Sequence, residues 1–199
     1  LGEMTERAVR ARAGQTGPLR LVFLANVVRG KGLDILLEAL KNVSVEAFHL
    51  DVIGSGEVEP AYAALMRRLA LRFGSSVQFH GVLDGAGLSR ILRQSHALVV
   101  PSYHEGFGIA YLEGMAHGLA ALGTTAGAIP ELVSDGVEGF LIEPGDAREL
   151  GDRIYQLVND RRLVARMGVS ALKKYKSQPT WKTSMERIRR FLLSISART

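Results

Sequence analysis

Ala97-Leu-Val-Val-Pro101, then Ser102-Tyr-His-Glu-Gly-Phe-Gly108, then Ile109-Ala-Tyr-Leu-Glu-Gly-Met-Ala-His117 read as a strand, a loop and a helix in direct succession. The first run is short and apolar throughout, as a strand buried on both faces must be. The last has the apolar spacing of a helix, which Gly108 and Ile109 open with first-turn amides free to meet a diphosphate. Two carboxylates, Glu105 in the Gly-rich turn and Glu113 inside the helix, are separated by seven residues. At helical rise their eight-residue offset spans on the order of 12 Å. A hexose, a diphosphate and a ribose fit along that span in order. The two glutamates are equally explained as complements to a helix N-terminus, each for roughly 0.3–1 kcal/mol.

The same alternation extends in both directions. Strands are predicted at Leu19–Ala25, Phe48–Ile53, Val77–Phe79, Ala97–Val100, Leu119–Gly123 and Phe140–Ile142. Helices are predicted at Leu33–Leu40, Glu57–Phe73, Leu88–Gln94 with Asp84 as cap, Ala147–Asn159, Leu163–Tyr175 and Trp181–Ser194. Regular β-α alternation with apolar strands predicts an α/β fold, a doubly wound, Rossmann-like parallel sheet with C-terminal helices. Ligands in such folds sit beyond the carboxyl ends of the strands. The loops that matter here all follow strands: Asn26–Gly32, Gly54–Glu57, Gly81–Asp84, Ser102–Gly108 and Thr124–Ile129. Residues 18–178 would form this domain, residues 1–17 a linker or a residual helix from a missing N-terminal domain, and residues 179–199 a basic amphipathic helix.

The 199 residues are 47% hydrophobic, without low-complexity tracts and without an apolar run long enough to span a membrane. The chain holds no cysteine, which removes disulfide and thiolate chemistry and agrees with a cytoplasmic site. Its net charge of +5 is unevenly spread: residues 1–160 carry 14 basic against 19 acidic groups, residues 161–199 carry 11 basic groups against Glu186 alone. Such a tail suits an anionic membrane surface at the inner face, an acidic face of a missing domain, or plain solvent. Nucleic acid is disfavoured as a partner, because no aromatic-studded basic groove accompanies the charge.

Pro101-Ser-Tyr-His-Glu-Gly-Phe-Gly108 and Glu113-Gly-Met-Ala-His-Gly118 resemble the donor-binding, C-terminal domain of retaining GT-B glycosyltransferases, the large family with paired glutamates that includes bacterial mannosyl- and glucosyltransferases. The resemblance covers about residues 19–194. It implies a nucleoside-diphosphate sugar as donor substrate, no separate cofactor, and an acceptor sugar or lipid held through an N-terminal domain. By resemblance, Glu105 and the amides of Gly106, Phe107 and Gly108 hold sugar hydroxyls, while Lys31 and the helix start at Gly108 and Ile109 stabilise the departing diphosphate. Glu113 would bind ribose, and Ser102 lies in the same loop. Gly54-Ser-Gly56 resembles the family's turn against the donor, and Val82 and Leu83 the backbone that faces the base. Gly114 stands where the family has Ala, at a helix cost of roughly 1 kcal/mol.

In the first loop, Asn26-Val-Val-Arg-Gly-Lys-Gly32, the family usually has Arg at position 26, so that two cations hold the diphosphate. A neutral contact there has roughly half the strength, and Arg29 is the candidate to compensate. Thr124 to Gly139 matches the next family block with Ala126 replacing a glycine, and Glu131 reads as a first-turn acid. No His-x-x-x-His, Asp-x-Asp, P-loop or Gly-x-Ser-x-Gly occurs, so neither a metal site nor a serine nucleophile is expected. The alternatives are a non-catalytic nucleotide-sugar-binding module, with Asn26 marking lost catalysis, or a GT-B nucleotide-sugar epimerase.

Overall fold

The computed structural model describes residues 3–179 and 181–196. Apolar runs become β1 (Leu19–Leu24), β2 (Phe48–Ile53), β3 (Val77–Gly81), β4 (Ala97–Val99), β5 (Ala120–Thr124) and β6 (Gly139–Ile142). They pair in the order β3-β2-β1-β4-β5-β6, every pair parallel. Leu21 lies opposite Leu50 on one side and Ala97 on the other, while in the next register position Val22 faces Asp51, a buried acid in an otherwise apolar centre. Both faces are buried, as continuous rather than alternating apolar runs require.

The helices are α1 (Glu6–Ala13), α2 (Leu33–Ala39), α3 (Pro60–Ala70), α4 (Gly85–Gln94), α5 (Ile109–Ala116), α6 (Ile129–Leu132), α7 (Ala147–Asn159), α8 (Arg161–Ser177) and α9 (Trp181–Ser196). Winding outward from β1 and then from β4 reverses direction, and right-handed crossovers therefore put α2 and α3 on one face and α4 and α5 on the other. α7 packs on α2, and α8 packs on α5 and β5. The reversal opens a crevice between the loops that follow β1 and β4.

Several boundaries differ from the expectation. The helix predicted from Glu57 begins only at Pro60, whose ring suits the first helical position, and it ends at Ala70 in a 3-10 turn broken by Gly74 at φ 56°. Asp84 caps α4 through Gly87 N–H at 2.7 Å, but the helix starts at once, at Gly85. Residues 6–13 are no linker: Thr5 caps α1, and Val9 and Ala13 are buried, with Val9 clustered against Val169 and Leu172 of α8. Arg12, buried, donates to the carbonyls of Leu92, Arg93, His117 and Gly118, at the ends of α4 and α5. The reading of Trp181 as a core residue falls on a side chain outside the described residues, as do Leu1, Gly2, Thr180 and residues 197–199. No helix among the described residues is long and apolar enough to cross a membrane.

Candidate functional site

Five loops at the carboxyl edge of the sheet are stitched together by backbone hydrogen bonds. Val27 N–H reaches Ser55 O (2.8 Å), and Gly54 N–H reaches Gly81 O (2.8 Å). Tyr103 N–H reaches Gly30 O (3.0 Å), and Ala128 N–H reaches Glu105 O (2.8 Å). Close approach explains two of the glycines. Gly32, at φ 71°, leaves room for the carbonyl of Pro101, where a Cβ would stand 2.1 Å from the oxygen. Gly54 does the same for the carbonyl of Ala25 at 1.9 Å. Its glycine is therefore demanded by packing just past the end of β1. Gly106 is the opposite case: nothing lies within 4 Å of its would-be side chain.

At the crevice, Lys31 Nζ donates to Glu105 Oε2 at 2.5 Å, with the two side chains only 28% and 15% exposed. Glu105 Oε1 also accepts the Gly108 N–H at 3.4 Å. One carboxylate thus lies between an ammonium and the start of α5, the two elements expected to meet a diphosphate. The Gly108 amide is consequently engaged rather than free. Ile109 and Ala110 continue the first turn, whose N–H groups have no acceptor inside the helix. Tyr111 anchors the turn from below: its buried hydroxyl donates to Val100 O at 2.6 Å, and burial pushes its pKa up.

A cleft of about 340 Å³ lies over this pair, lined among others by Asn26, Lys31, Val58, Glu105, Phe107 and Ile109. Phe107 and Ile109 are exposed on its rim, at 81% and 70%. A second hollow of about 460 Å³ continues past Ser55 and Gly56 to Gly81, Val82 and Arg67. Arg67 rests over the ring of Phe79 at 4.7 Å. Val58 and Arg67 were not singled out from the sequence, because nothing but folding brings α3 to the end of β3.

The predicted residues divide as follows. Asn26, Lys31, Glu105, Phe107 and Ile109 meet in the cleft, and Gly56 and Val82 line the hollow beside it. Leu83, partly buried, packs against the core. Ser102 is buried beneath the loop, its Oγ without a hydrogen-bond partner, while its carbonyl accepts Thr124 Oγ1 at 2.7 Å. Glu113 lies one turn along α5 from Ile109, half-buried, its carboxylate unpaired among the described residues. Arg29 is turned to Glu59 Oε2 (3.9 Å) and the ring of Tyr62 (5.3 Å), outside the cleft lining. Tyr62 is itself held by Asp34 at 2.7 Å. The histidines serve elsewhere. His117 bridges Glu113 O and Ser89 Oγ, and His96 lies in the core between Arg20 N–H and Arg12 O. Among the described residues no group of three or more His, Cys, Asp or Glu side chains is arranged to hold a metal ion.

Known proteins share this architecture and sequence. The chain is 27% identical over 197 residues, 94% of its length, to a GDP-mannose-dependent monoacylated alpha-(1-6)-phosphatidylinositol monomannoside mannosyltransferase of Corynebacterium glutamicum, of which it covers 50%. It is 31% identical over 177 residues, 82% of its length, to a D-inositol 3-phosphate glycosyltransferase of Streptomyces avermitilis, of which it covers 38%. The chain thus spans about half or less of the length of the curated relatives it matches. The crystal structure of Anabaena HepE in complex with UDP superposes with a TM-score of 0.82 at 23% identity, over 96% of this chain and 54% of that one. The C-terminal domain of a group 1 glycosyl transferase from Francisella tularensis superposes with a TM-score of 0.73 at 22% identity, over 87% and 92% respectively. Residues 18–160 match the family model of glycosyl transferases group 1, and the chain belongs to that family, with the fold of its GT-B C-terminal domains.

Proposed function

We propose that this chain is the donor-binding half of a retaining glycosyltransferase, moving a hexose from a nucleoside-diphosphate sugar to an acceptor held by another domain. The observation that carries this reading is the convergence of the Lys31 ammonium, the Glu105 carboxylate and the start of α5 in the crevice where the strand order reverses. Lys31 and the first-turn amides of α5 meet the negative charge that builds on the departing diphosphate, preorganised in a partly water-excluded cleft. Glu105 accepts hydrogen bonds from the sugar hydroxyls. Its two contacts, one oxygen on Lys31 and the other on Gly108 N–H, support a role as acceptor and orienter rather than as a nucleophile. Retention then follows from an acceptor arriving on the leaving-group face, with the donor phosphate taking its proton. The open space beside Gly106 supports close approach of a ligand, since no described residue comes within 4 Å of a Cβ built there. The half-buried carboxylate of Glu113, unpaired among the described residues, supports a contact with ribose hydroxyls.

Calorimetric titration with UDP, GDP and ADP tests the reading. One of the three should saturate the chain, and Lys31→Ala should weaken that diphosphate by at least about tenfold, the loss of one charge-assisted contact. Glu113→Ala should weaken the nucleoside monophosphate and the diphosphate alike. Absence of saturable binding to all three removes the proposal.

A further inference from the structure

We infer that Asn26 is a positioning residue for the nucleotide end of the cleft, a clamp on the Gly54–Gly56 turn and not a ligand of the phosphates. The inference rests on the nucleotide-sugar reading of the site. Asn26 Oδ1 accepts the Ser55 N–H at 3.2 Å; because a backbone N–H only donates, the amide oxygen must be the atom turned to it. The neighbouring Val27 N–H donates to Ser55 O at 2.8 Å, so Asn26 and Val27 hold both backbone groups of Ser55. Ser55 Oγ in turn accepts the Glu57 N–H at 3.1 Å, and Gly54 N–H holds Gly81 O. One neutral side chain after β1 therefore fixes the turn after β2, and through it the start of the loop after β3, where Gly81 and Val82 line the second hollow.

An arginine at this position could not do this, since a guanidinium has no acceptor to offer Ser55 N–H. The exchange of a cation for an amide moves the residue's contribution from charge neutralisation to loop geometry. It leaves Lys31 as the one cation lining the cleft among the described residues, and that cation is already on Glu105.

The experiment compares Asn26→Ala and Asn26→Asp with the parent chain, reading amide hydrogen exchange at Ser55 by NMR and affinity for the nucleoside monophosphate and diphosphate of whichever base binds. Asn26→Ala should speed Ser55 exchange several-fold, leave the urea midpoint nearly unchanged, and weaken monophosphate and diphosphate by the same factor, about three- to tenfold. Asn26→Asp keeps an acceptor oxygen: Ser55 exchange stays as in the parent, and only its added charge lowers affinity, more for the diphosphate than for the monophosphate. Unchanged exchange in Asn26→Ala overturns the clamp. So does faster exchange with undiminished monophosphate affinity, or a loss confined to the diphosphate as for Lys31→Ala, which would make Asn26 a phosphate ligand. If UDP, GDP and ADP all fail to bind the parent chain, the nucleotide reading fails, and the exchange data alone uphold or overturn the clamp.

Discussion

Replacing Glu105 by Gln should make the bare nucleoside diphosphate bind more tightly while its sugar-bearing form gains nothing. In the free chain the Glu105 carboxylate occupies Lys31 at 2.5 Å and the Gly108 amide at 3.4 Å, two of the groups proposed to meet the phosphates. The pair is neither solvated nor fully enclosed, at 28% and 15% exposure. Exposed ion pairs contribute up to about 1 kcal/mol and hydrogen bonds to charged groups about 1.5–3 kcal/mol, so freeing Lys31 should return about 1–2 kcal/mol to the incoming diphosphate. At 1.4 kcal/mol per factor of ten that is roughly a five- to thirtyfold gain. Removing a negative charge next to the phosphates acts in the same direction. The nucleotide-sugar loses its hydrogen bonds to an ionised acceptor, worth about 1.5–3 kcal/mol, which cancels the gain or more. Calorimetric titrations of parent and Glu105→Gln with both ligands, at low and high salt, measure the split. A diphosphate that binds Glu105→Gln no tighter than the parent would refute the view that this carboxylate holds the place of the phosphates.

Arg12→Met should destabilise the fold by about 3 kcal/mol in urea unfolding, because the carbonyls of Leu92, Arg93, His117 and Gly118 lose a buried donor; a loss below about 1 kcal/mol would mean that water replaces the guanidinium. Burial holds His96 neutral and pushes its pKa from 6.5 down to about 4. The unfolded chain takes up that proton first, so stability is complete above pH 6.5 and falls by up to about 3 kcal/mol as the pH drops towards 4. Urea midpoints at pH 7 and 4.5 should show this, with the slope largely lost in His96→Gln. Asp51 titrates below that window: burial works to raise its pKa, but hydrogen bonds from His49 and His80 hold it below the usual aspartate range. Gly114→Ala should change stability by less than about 1 kcal/mol, since a Cβ would press on Leu98 at 3.2 Å and offset the helix propensity gained; a thermal scan showing clear stabilisation would contradict that tightness.

The sheet was legible because each strand is a short apolar run and the loops that matter follow strands, signals that survive without tertiary knowledge. The meeting of Lys31 with Glu105 followed from the same logic, as both sit after strands that flank the reversal of strand order. What stayed hidden depends on partners far away in sequence. Arg29 looks free in a loop, yet Glu59 and Tyr62 claim it. Asn26 looks like a weakened arginine until Ser55 is seen against it. That Gly54 also has to make room for the carbonyl of Ala25 shows only in the fold. Residues 6–13 are rich in Arg and Ala, and nothing in that composition says that Val9 will be covered by α8 or that Arg12 will reach the ends of two helices.

That last pairing shapes how the molecule assembles during synthesis. α1 comes well before α8 in the sequence, and residues 161–177 of α8 are its seat, so its apolar stripe stays uncovered until α8 has been made. Contacts between such distant segments cost loop-closure entropy before they give anything back, and they slow folding. A truncation that removes α8 would strand Met4 and Val9 in water as an adhesive surface, so shortened versions should aggregate rather than merely lose stability.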